Sequence, residues 1–230
     1  VCFVGLGSIA NRHIKNLKII CRQREIKLSI DAFRHSKTNT ADERFNHIYY
    51  CIENLPDDYD AIFITNPTEM HLEALKVFHN KGKHFFIEKP VVSYTQIEAA
   101  RQFKRRKESI YYIACPLRYN AVVQYIKNNI HIEDVISVRS ISSSYLPDWR
   151  PGQDYKKTYS AHRQLGGGVS IDLIHEWDYL IYLFGKPKQV FCLIGKKSSL
   201  EIDSDDYAIY IAELDNMIEE LHLDYFGQSP

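Results

Sequence analysis

The feature that most constrains this chain stands at its start. The apolar run Val1-Cys2-Phe3-Val4 leads directly into Gly5-Leu6-Gly7-Ser8-Ile9-Ala10, after which Ile9, His13, Leu17 and Ile20 recur near one stripe. A short apolar run bounded by a turn reads as a buried strand, and the stripe after it reads as a helix. A strand that turns into a helix over two glycines is the first unit of a parallel sheet, because parallel neighbours need a long crossover. Gly5 permits the tight turn, Gly7 lets backbone amides approach a ligand, and Ala10 is small enough for helix and strand to pack. The first N–H groups of a helix have no partners within it and favour an anion. By itself the pattern is a strand-to-helix turn. In this context it predicts a dinucleotide pyrophosphate held by Gly5, Gly7, Ser8 and Ile9.

The alternation continues. Lys27 to Phe33 reads as a second strand, Asp60 to Thr65 as a third and His84 to Ile87 as a fourth, with Ile110 to Cys115 as a fifth. Helical spacing covers His71 to His79 and Tyr94 to Lys107, the latter with Ser93 as its N-cap. Beyond Arg118 the pattern changes. A helix at Ala121 to Asn128, a strand at Val135 to Ser143 and a polar aromatic segment from Tyr145 to Tyr159 come first. A helix running from Gly166 through Leu183 follows, then strands at Gln189 to Gly195, Tyr207 to Leu214 and Glu219 to Tyr225. The expected fold is α/β: an N-terminal Rossmann doubly wound parallel sheet over residues 1–118, and a C-terminal α+β domain over 119–230 with an open, largely antiparallel sheet. The last strand runs almost to the chain end, so the second sheet reads as incomplete.

Charge narrows the partners. With 29 basic and 29 acidic residues, nothing favours nucleic acid or an anionic membrane surface, and no apolar run approaches the length of a spanning helix. The five cysteines (Cys2, Cys21, Cys51, Cys115 and Cys192) are scattered without a Cys-x-x-Cys pair. They read as reduced thiols of a cytoplasmic protein, and no signal peptide is visible. A metal site is not expected, since no third ligand joins the His and Asp near residue 175.

The dinucleotide is read at the end of the second strand. NAD readers place an acid there for the ribose hydroxyls; Asp31 lies at a suitable distance but reads as internal to the strand. The strand ends instead in Arg34-His35-Ser36-Lys37, where Arg34 and Ser36 could meet a 2′-phosphate with charge-assisted hydrogen bonds. The alternative is a solvated basic loop. NAD and NADP both stay open, with the balance towards NADP.

Three further motifs fall at the carboxyl ends of strands, where open α/β sheets bind ligands. They are Thr65-Asn66-Pro67-x-x-x-His71, Glu88-Lys89-Pro90, and Gly166-Gly167-Gly168-x-x-x-Asp172-x-x-His175-x-x-Asp178. With the glycine turn, in this order and spacing, they make the chain resemble the Gfo/Idh/MocA oxidoreductase family from Val1 to about Tyr225. The resemblance implies that Lys89 lies beside the nicotinamide and hydrogen-bonds the reacting hydroxyl. It implies that His175 is the general acid/base, for which an imidazole is suited. Thr65, Asn66 and Pro67 would form the loop beneath the nicotinamide ribose, with His71 supporting it and Glu88 beside it. Asp172, one turn before His175, would orient the imidazole or bind a substrate hydroxyl. The family spacing is Asp-x-x-x-His, one residue longer than here, and one residue is about 100° of helical rotation. Arg118 matches the family's Arg-aromatic pair, as a ligand contact or an internal salt bridge. Asp178 reads as a structural partner.

Tyr145 to Tyr155 carries aromatics, Tyr145 and Trp149 among them, interleaved with Asp, Arg and Gln. Stacking faces with directional polar groups suit a polyhydroxylated ring; a subunit or domain contact reads equally. The resemblance favours a sugar, nucleotide-sugar or related polyol, oxidised reversibly from ring hydroxyl to ketone, as in bacterial surface-sugar biosynthesis. It also implies a homo-oligomer through the C-terminal sheet. The alternative is a non-catalytic cofactor- or sugar-sensing protein, or an inactive fragment, on the same fold.

Overall fold

Cys2, Phe3 and Val4 are all buried in the first strand, β1 (Cys2–Val4), so this strand needs a layer on each face. The computed structural model describes residues 1–35 and 42–228 and divides the chain into two units, Val1–Ala114 and Cys115–Pro230. In the first unit, α1 (Ser8–Gln23), β2 (Asp31–Phe33), β3 (Ile48–Tyr49), β4 (Tyr59–Ile64), α2 (His71–Val77), β5 (Gly82–Ile87), α3 (Ile97–Arg101) and β6 (Tyr111–Ile113) follow β1. The sheet order is β3-β2-β1-β4-β5-β6, and every pair is parallel. The order reverses at β1, which opens a crevice at the carboxyl ends of β1 and β4, the switch point where such sheets take ligands.

Side-chain alternation assigns the two layers. Cys2, Val4, Ile62, Ile64, Phe85 and Ile87 pack with Leu75 and Phe78 on one face. Phe3 and Phe63 pack with Ala10 and Ile14 of α1 on the other. On that second face the register sets Phe3, Phe63, Phe86 and Tyr112 side by side across β1, β4, β5 and β6. Successive rings stack at centroid distances of 4.4, 5.0 and 5.4 Å.

Two elements differ from expectation. The strand expected over Lys27 to Phe33 pairs only over Asp31–Phe33, because β1 offers three residues to pair with. The helix expected over Tyr94 to Lys107 begins with a Ser93–Gln96 capping box but ends at Arg101. The run Lys104 to Lys107 would stack like charges on a further turn. Arg106 is drawn instead to the carbonyls of Gly82 and Lys83, with its guanidinium 5.8 Å from the centre of the Phe85 ring.

The second unit holds α4 (Ala121–Asn129), β7 (Ser137–Ser143), α5 (Val169–Asp172), α6 (Ile174–Phe184), β8 (Gln189–Gly195), β9 (Tyr207–Glu213) and β10 (Ile218–Asp224). Its sheet runs β7-β10-β9-β8, parallel between β7 and β10 and otherwise antiparallel. Leu221, Leu223 and Tyr225 pack with Val169, Leu173 and Leu180 on the inner face. The helix expected from Gly166 through Leu183 is two helices, broken at Leu173 (φ −95°, ψ 23°). Unbroken, it would place the buried carboxylates of Asp172 and Glu176 on one face, four residues apart. The break sends them to different partners.

Glu219 on β10 is 2 % exposed, and its Oε1 finds no hydrogen-bond partner among the described residues. Burial pushes its carboxyl up to about 7. A carboxyl raised on folding is stabilising below its unfolded value and loses that contribution as pH rises through the folded one. Wild type is therefore expected to lose stability between about pH 4.5 and 7 relative to Glu219→Gln, by up to roughly 3 kcal/mol. Thermal melts of both proteins across that range check this; parallel curves would refute it.

Candidate active site

The glycine turn is built for a close approach. Gly5 (φ +90°) lies against the loop after β4, and a Cβ there would sit 2.5 Å from Asn66 Cα. Gly7 has an ordinary φ of −72°, and a Cβ on it would meet nothing within 4 Å. Gly7 and Ser8 are exposed, no side chain caps the start of α1, and its first turn holds no acid. A helix start without a side-chain cap or an acid, beside open space at Gly7, is an environment that favours an anionic group. These residues fit a pyrophosphate.

The loops around the turn are tied together. Thr65 Oγ1 donates to Gly5 O at 2.7 Å and lies 3.2 Å from Val4 O. Asn66 Oδ1 is buried with no hydrogen-bond partner among the described residues, an acceptor left for a ligand. Pro67, after Asn66, is exposed. His71 is 1 % exposed, and its ring nitrogens lie 2.8 Å from Asn66 O and 2.9 Å from Pro90 O. It clamps the loop after β4 to the turn after β5, where the Lys89–Pro90 peptide is cis. Glu88 Oε1 lies 2.5 Å from His13 Nε2 on α1, and its Oε2 accepts from Lys89 N at 3.2 Å. His13 also stands edge-on to Phe86 at 4.9 Å. In sequence His13 reads as one more member of the helix stripe; its partner is 75 residues away, so no local pattern could reveal the pair.

At the carboxyl end of β2, Arg34 donates to Asp42 at 3.2 Å. Ser36 and Lys37 lie outside the described residues. Asp31 stands at the amino end of β2, buried, where it accepts from Tyr59 Oη at 2.7 Å and His47 N at 3.1 Å. It is a core acceptor.

In the second unit two of the three glycines serve packing. A Cβ on Gly167 would lie 2.7 Å from Ser160 O, and one on Gly168 (φ +129°) would lie 2.8 Å from Asp205 Cγ. Asp205 caps α5 by accepting from Ser170 N at 2.9 Å, so that helix start is already occupied by an acid. Asp172 is buried and accepts from Tyr225 Oη at 2.6 Å. The ion-pair partner of His175 is its neighbour Glu176, with Nε2 and Oε1 3.3 Å apart. Glu176 also accepts from Tyr179 Oη at 2.6 Å, and that hydroxyl lies 2.8 Å from Ser140 Oγ on β7. Burial opposes ionisation of Glu176, but His175 and the hydroxyls of Tyr179 and Ser142 hold its carboxyl below the usual range. Neighbouring helix residues ordinarily point apart, so the sequence pattern does not reveal this pairing. Arg118 forms a two-pronged salt bridge to Asp178, from Nε at 2.9 Å and Nη2 at 2.5 Å.

Tyr145 and Trp149 are partly buried and pack against the inner core of this unit. Trp149 stands edge-on to Tyr225 at 5.2 Å and donates its ring N–H to Ser144 Oγ at 2.9 Å. Tyr145 bridges to Phe226 through its backbone. Both rings thus cover the sheet beneath them while keeping part of their surface exposed. Among the described residues no group of three His, Cys, Asp or Glu could hold a metal, and no helix is long and apolar enough to cross a membrane.

Residues 1–114 match the model of the oxidoreductase family with an NAD-binding Rossmann fold, and residues 124–223 match the GFO/IDH/MocA C-terminal domain. The chain belongs to the Gfo/Idh/MocA family. Among its relatives are an uncharacterized oxidoreductase, YrbE, of Bacillus subtilis and scyllo-inositol 2-dehydrogenase (NADP(+)) IolU of the same organism. The first is 26 % identical over 189 residues, covering 79 % of this chain and 52 % of the relative. The second is 27 % identical over 148 residues, covering 58 % and 42 %. The chain thus spans about half the length of the curated relatives it matches. Its fold is shared with the WlbA dehydrogenase from Bordetella pertussis, solved with NADH and UDP-GlcNAcA. That match has a TM-score of 0.76 at 16 % identity and covers 98 % of this chain and 70 % of the other.

The two glycines of the turn are separable by substitution. Gly5→Ala is expected to lower the melting temperature, since it adds a clash with Asn66 and a strained φ. Gly7→Ala should leave stability within about 0.5 kcal/mol yet weaken dinucleotide binding, because its methyl enters the cradle. Melting curves with dinucleotide titrations distinguish the two; equal destabilisation would refute the assignment.

Proposed function

We propose that this chain is an NAD(P)-dependent dehydrogenase that interconverts a ring hydroxyl and a ketone on a sugar, nucleotide-sugar or related polyol, as in bacterial surface-polysaccharide synthesis. The observation that carries this reading is the framework of the first unit. An anion-ready helix start is joined through Asn66 and His71 to the turn that carries Lys89. The substrate class is supported by the names of similar proteins, an inositol dehydrogenase among relatives and a nucleotide-sugar complex among shared folds.

Bound NAD(P)+ supplies the hydride acceptor. The residues of the chain manage charge and protons. Lys89 offers a cation to the alcohol oxygen as negative charge develops on it. His175 takes the hydroxyl proton as hydride leaves the carbinol carbon. Glu176, anchored by Tyr179, fixes the ring of His175 and balances the charge it gains. Asp172, which accepts from Tyr225, and Arg118, which is paired with Asp178, are the supporting residues of this reading.

Thermal shift with the four oxidised and reduced dinucleotides, followed by a polyol and nucleotide-sugar panel, tests the reading. Lys89→Ala and His175→Ala are expected to lower turnover by about 10²- to 10⁴-fold with dinucleotide binding retained. Absence of stabilisation by every dinucleotide would sink the proposal. Binding without turnover of any substrate would favour a sensor on the same fold.

The outer face of the second sheet is the reading's oligomer surface. Ile141, Ile209, Ile211, Phe191 and Leu193 lie on one face by register, and Phe191 and Leu193 are each 62 % exposed. An apolar patch of this kind marks an interaction surface, and a second copy of the chain is its proposed occupant. Sedimentation should show wild type as an oligomer and Phe191→Glu as a monomer; a monomeric wild type would refute it.

A further inference from the structure

The layer that covers the first sheet is thin at one edge. On the face opposite α1, Leu72 and Leu75 of α2 and Ile87 of β5 are buried, whereas Tyr111 and Ile113 of β6 are only partly so. The helix that would cover them, α3, has five residues and ends at Arg101. Beyond it the chain leaves the helix path, and Arg106 bonds the carbonyls of Gly82 and Lys83. A cavity of about 400 Å³ remains between α2, α3, β6 and the Val91-Val92 segment. Its polar side-chain groups are the guanidiniums of Arg101 and Arg105 and the hydroxyl of Tyr111; the rest of the lining is apolar. The Tyr111 hydroxyl already accepts from Arg106 N at 3.2 Å.

The two guanidiniums differ in what they already hold. Arg101 donates to Glu98 at 2.8 Å. Arg105 is exposed, lines the same cavity and has no hydrogen-bond or ion-pair partner among the described residues. It stands in the basic run Lys104-Arg105-Arg106-Lys107, which makes the rim electropositive. Small-molecule sites combine a volume of this size with apolar walls and a few placed polar groups. We propose that the cavity binds a medium-chain aliphatic carboxylate, its chain against α2 and β6 and its head on the Arg105 guanidinium. A guanidinium fork matches a carboxylate in geometry as well as charge. The walls offer a sugar or a nucleotide base few partners, whereas Leu72, Leu75, Val92 and Ile113 suit a hydrocarbon chain. The dinucleotide cradle lies at the start of α1, on the other face of the sheet, and the proposal does not rest on its reading. The site nonetheless adjoins that framework: Val91 and Val92 follow the Lys89–Pro90 turn, and Leu72 follows His71, which bonds Pro90 O.

Titration of the wild-type protein with hexanoate, octanoate and decanoate, followed by the methyl NMR signals of Leu72, Leu75, Val92 and Ile113, tests the proposal. Binding is expected to saturate and to tighten by up to about fourfold per added methylene. Octanoate should bind more tightly than octan-1-ol or octylammonium. Arg105→Ala should weaken octanoate roughly tenfold and leave octan-1-ol within about twofold. Ala100→Trp, which fills the cavity, should abolish octanoate binding. Absence of saturable binding, shifts confined to methyl groups elsewhere, or equal affinity for octanoate and octylammonium overturns the proposal. So does an Arg105→Ala protein that binds octanoate as wild type does. Where Ala100→Trp does not fold, the exposed substitution Arg105→Ala decides.

Discussion

The arrangement of the first unit depends on how closely two loops can approach. Gly5 lies against Asn66 with no room for a side chain, at a φ that L residues rarely adopt. Through that contact the turn after β1 and the loop after β4 share one location. Thr65 fastens the pair from the inside, and His71 extends the fastening to Pro90. A phosphate cradle, an orphan amide oxygen and the turn bearing Lys89 are thereby held in one framework. None of these groups is unusual alone. Their value lies in a common origin at the sheet's switch point, where the order of strands reverses.

The second unit solves a different problem, that of several acids in a small core. Asp172, Glu176, Asp205, Asp206 and Glu219 are all under 9 % exposed. Buried charges need partners, and most of these have them. Tyr225 serves Asp172, Tyr179 serves Glu176, and backbone N–H groups serve Asp205 and Asp206. Glu219 is the one whose environment favours the neutral form. Two tyrosine hydroxyls, those of Tyr179 and Tyr225, are thus used in satisfying carboxylates.

Much of the fold was legible because it follows from periodicity. Strands β8, β9 and β10 and helices α1 and α4 carry patterns that a parallel or half-buried sheet and its helices must show. The two-residue strand β3 carries too little pattern to read. The end of α3 depended on where Arg106 finds its carbonyls, a long-range matter. The same division holds at the site. Glycine spacing made the cradle readable, since it expresses a local backbone need. The partner of His13 was not, because Glu88 lies 75 residues away and the pairing depends on tertiary placement. Asp31 shows the converse: a residue type suited to a ligand, taken up by the core.

The break at Leu173 bears on how such a chain tolerates change. The interval Asp172 to His175 is one residue shorter than the family's, which in a continuous helix would swing everything beyond it by about 100°. Here α5 is pinned by Asp205 and Tyr225, while α6 is pinned by its own packing at Leu180 and by Tyr179. The joint between them can absorb a deletion without transmitting it to either anchor. Each segment thus keeps its own foothold in the core, independent of the register between them.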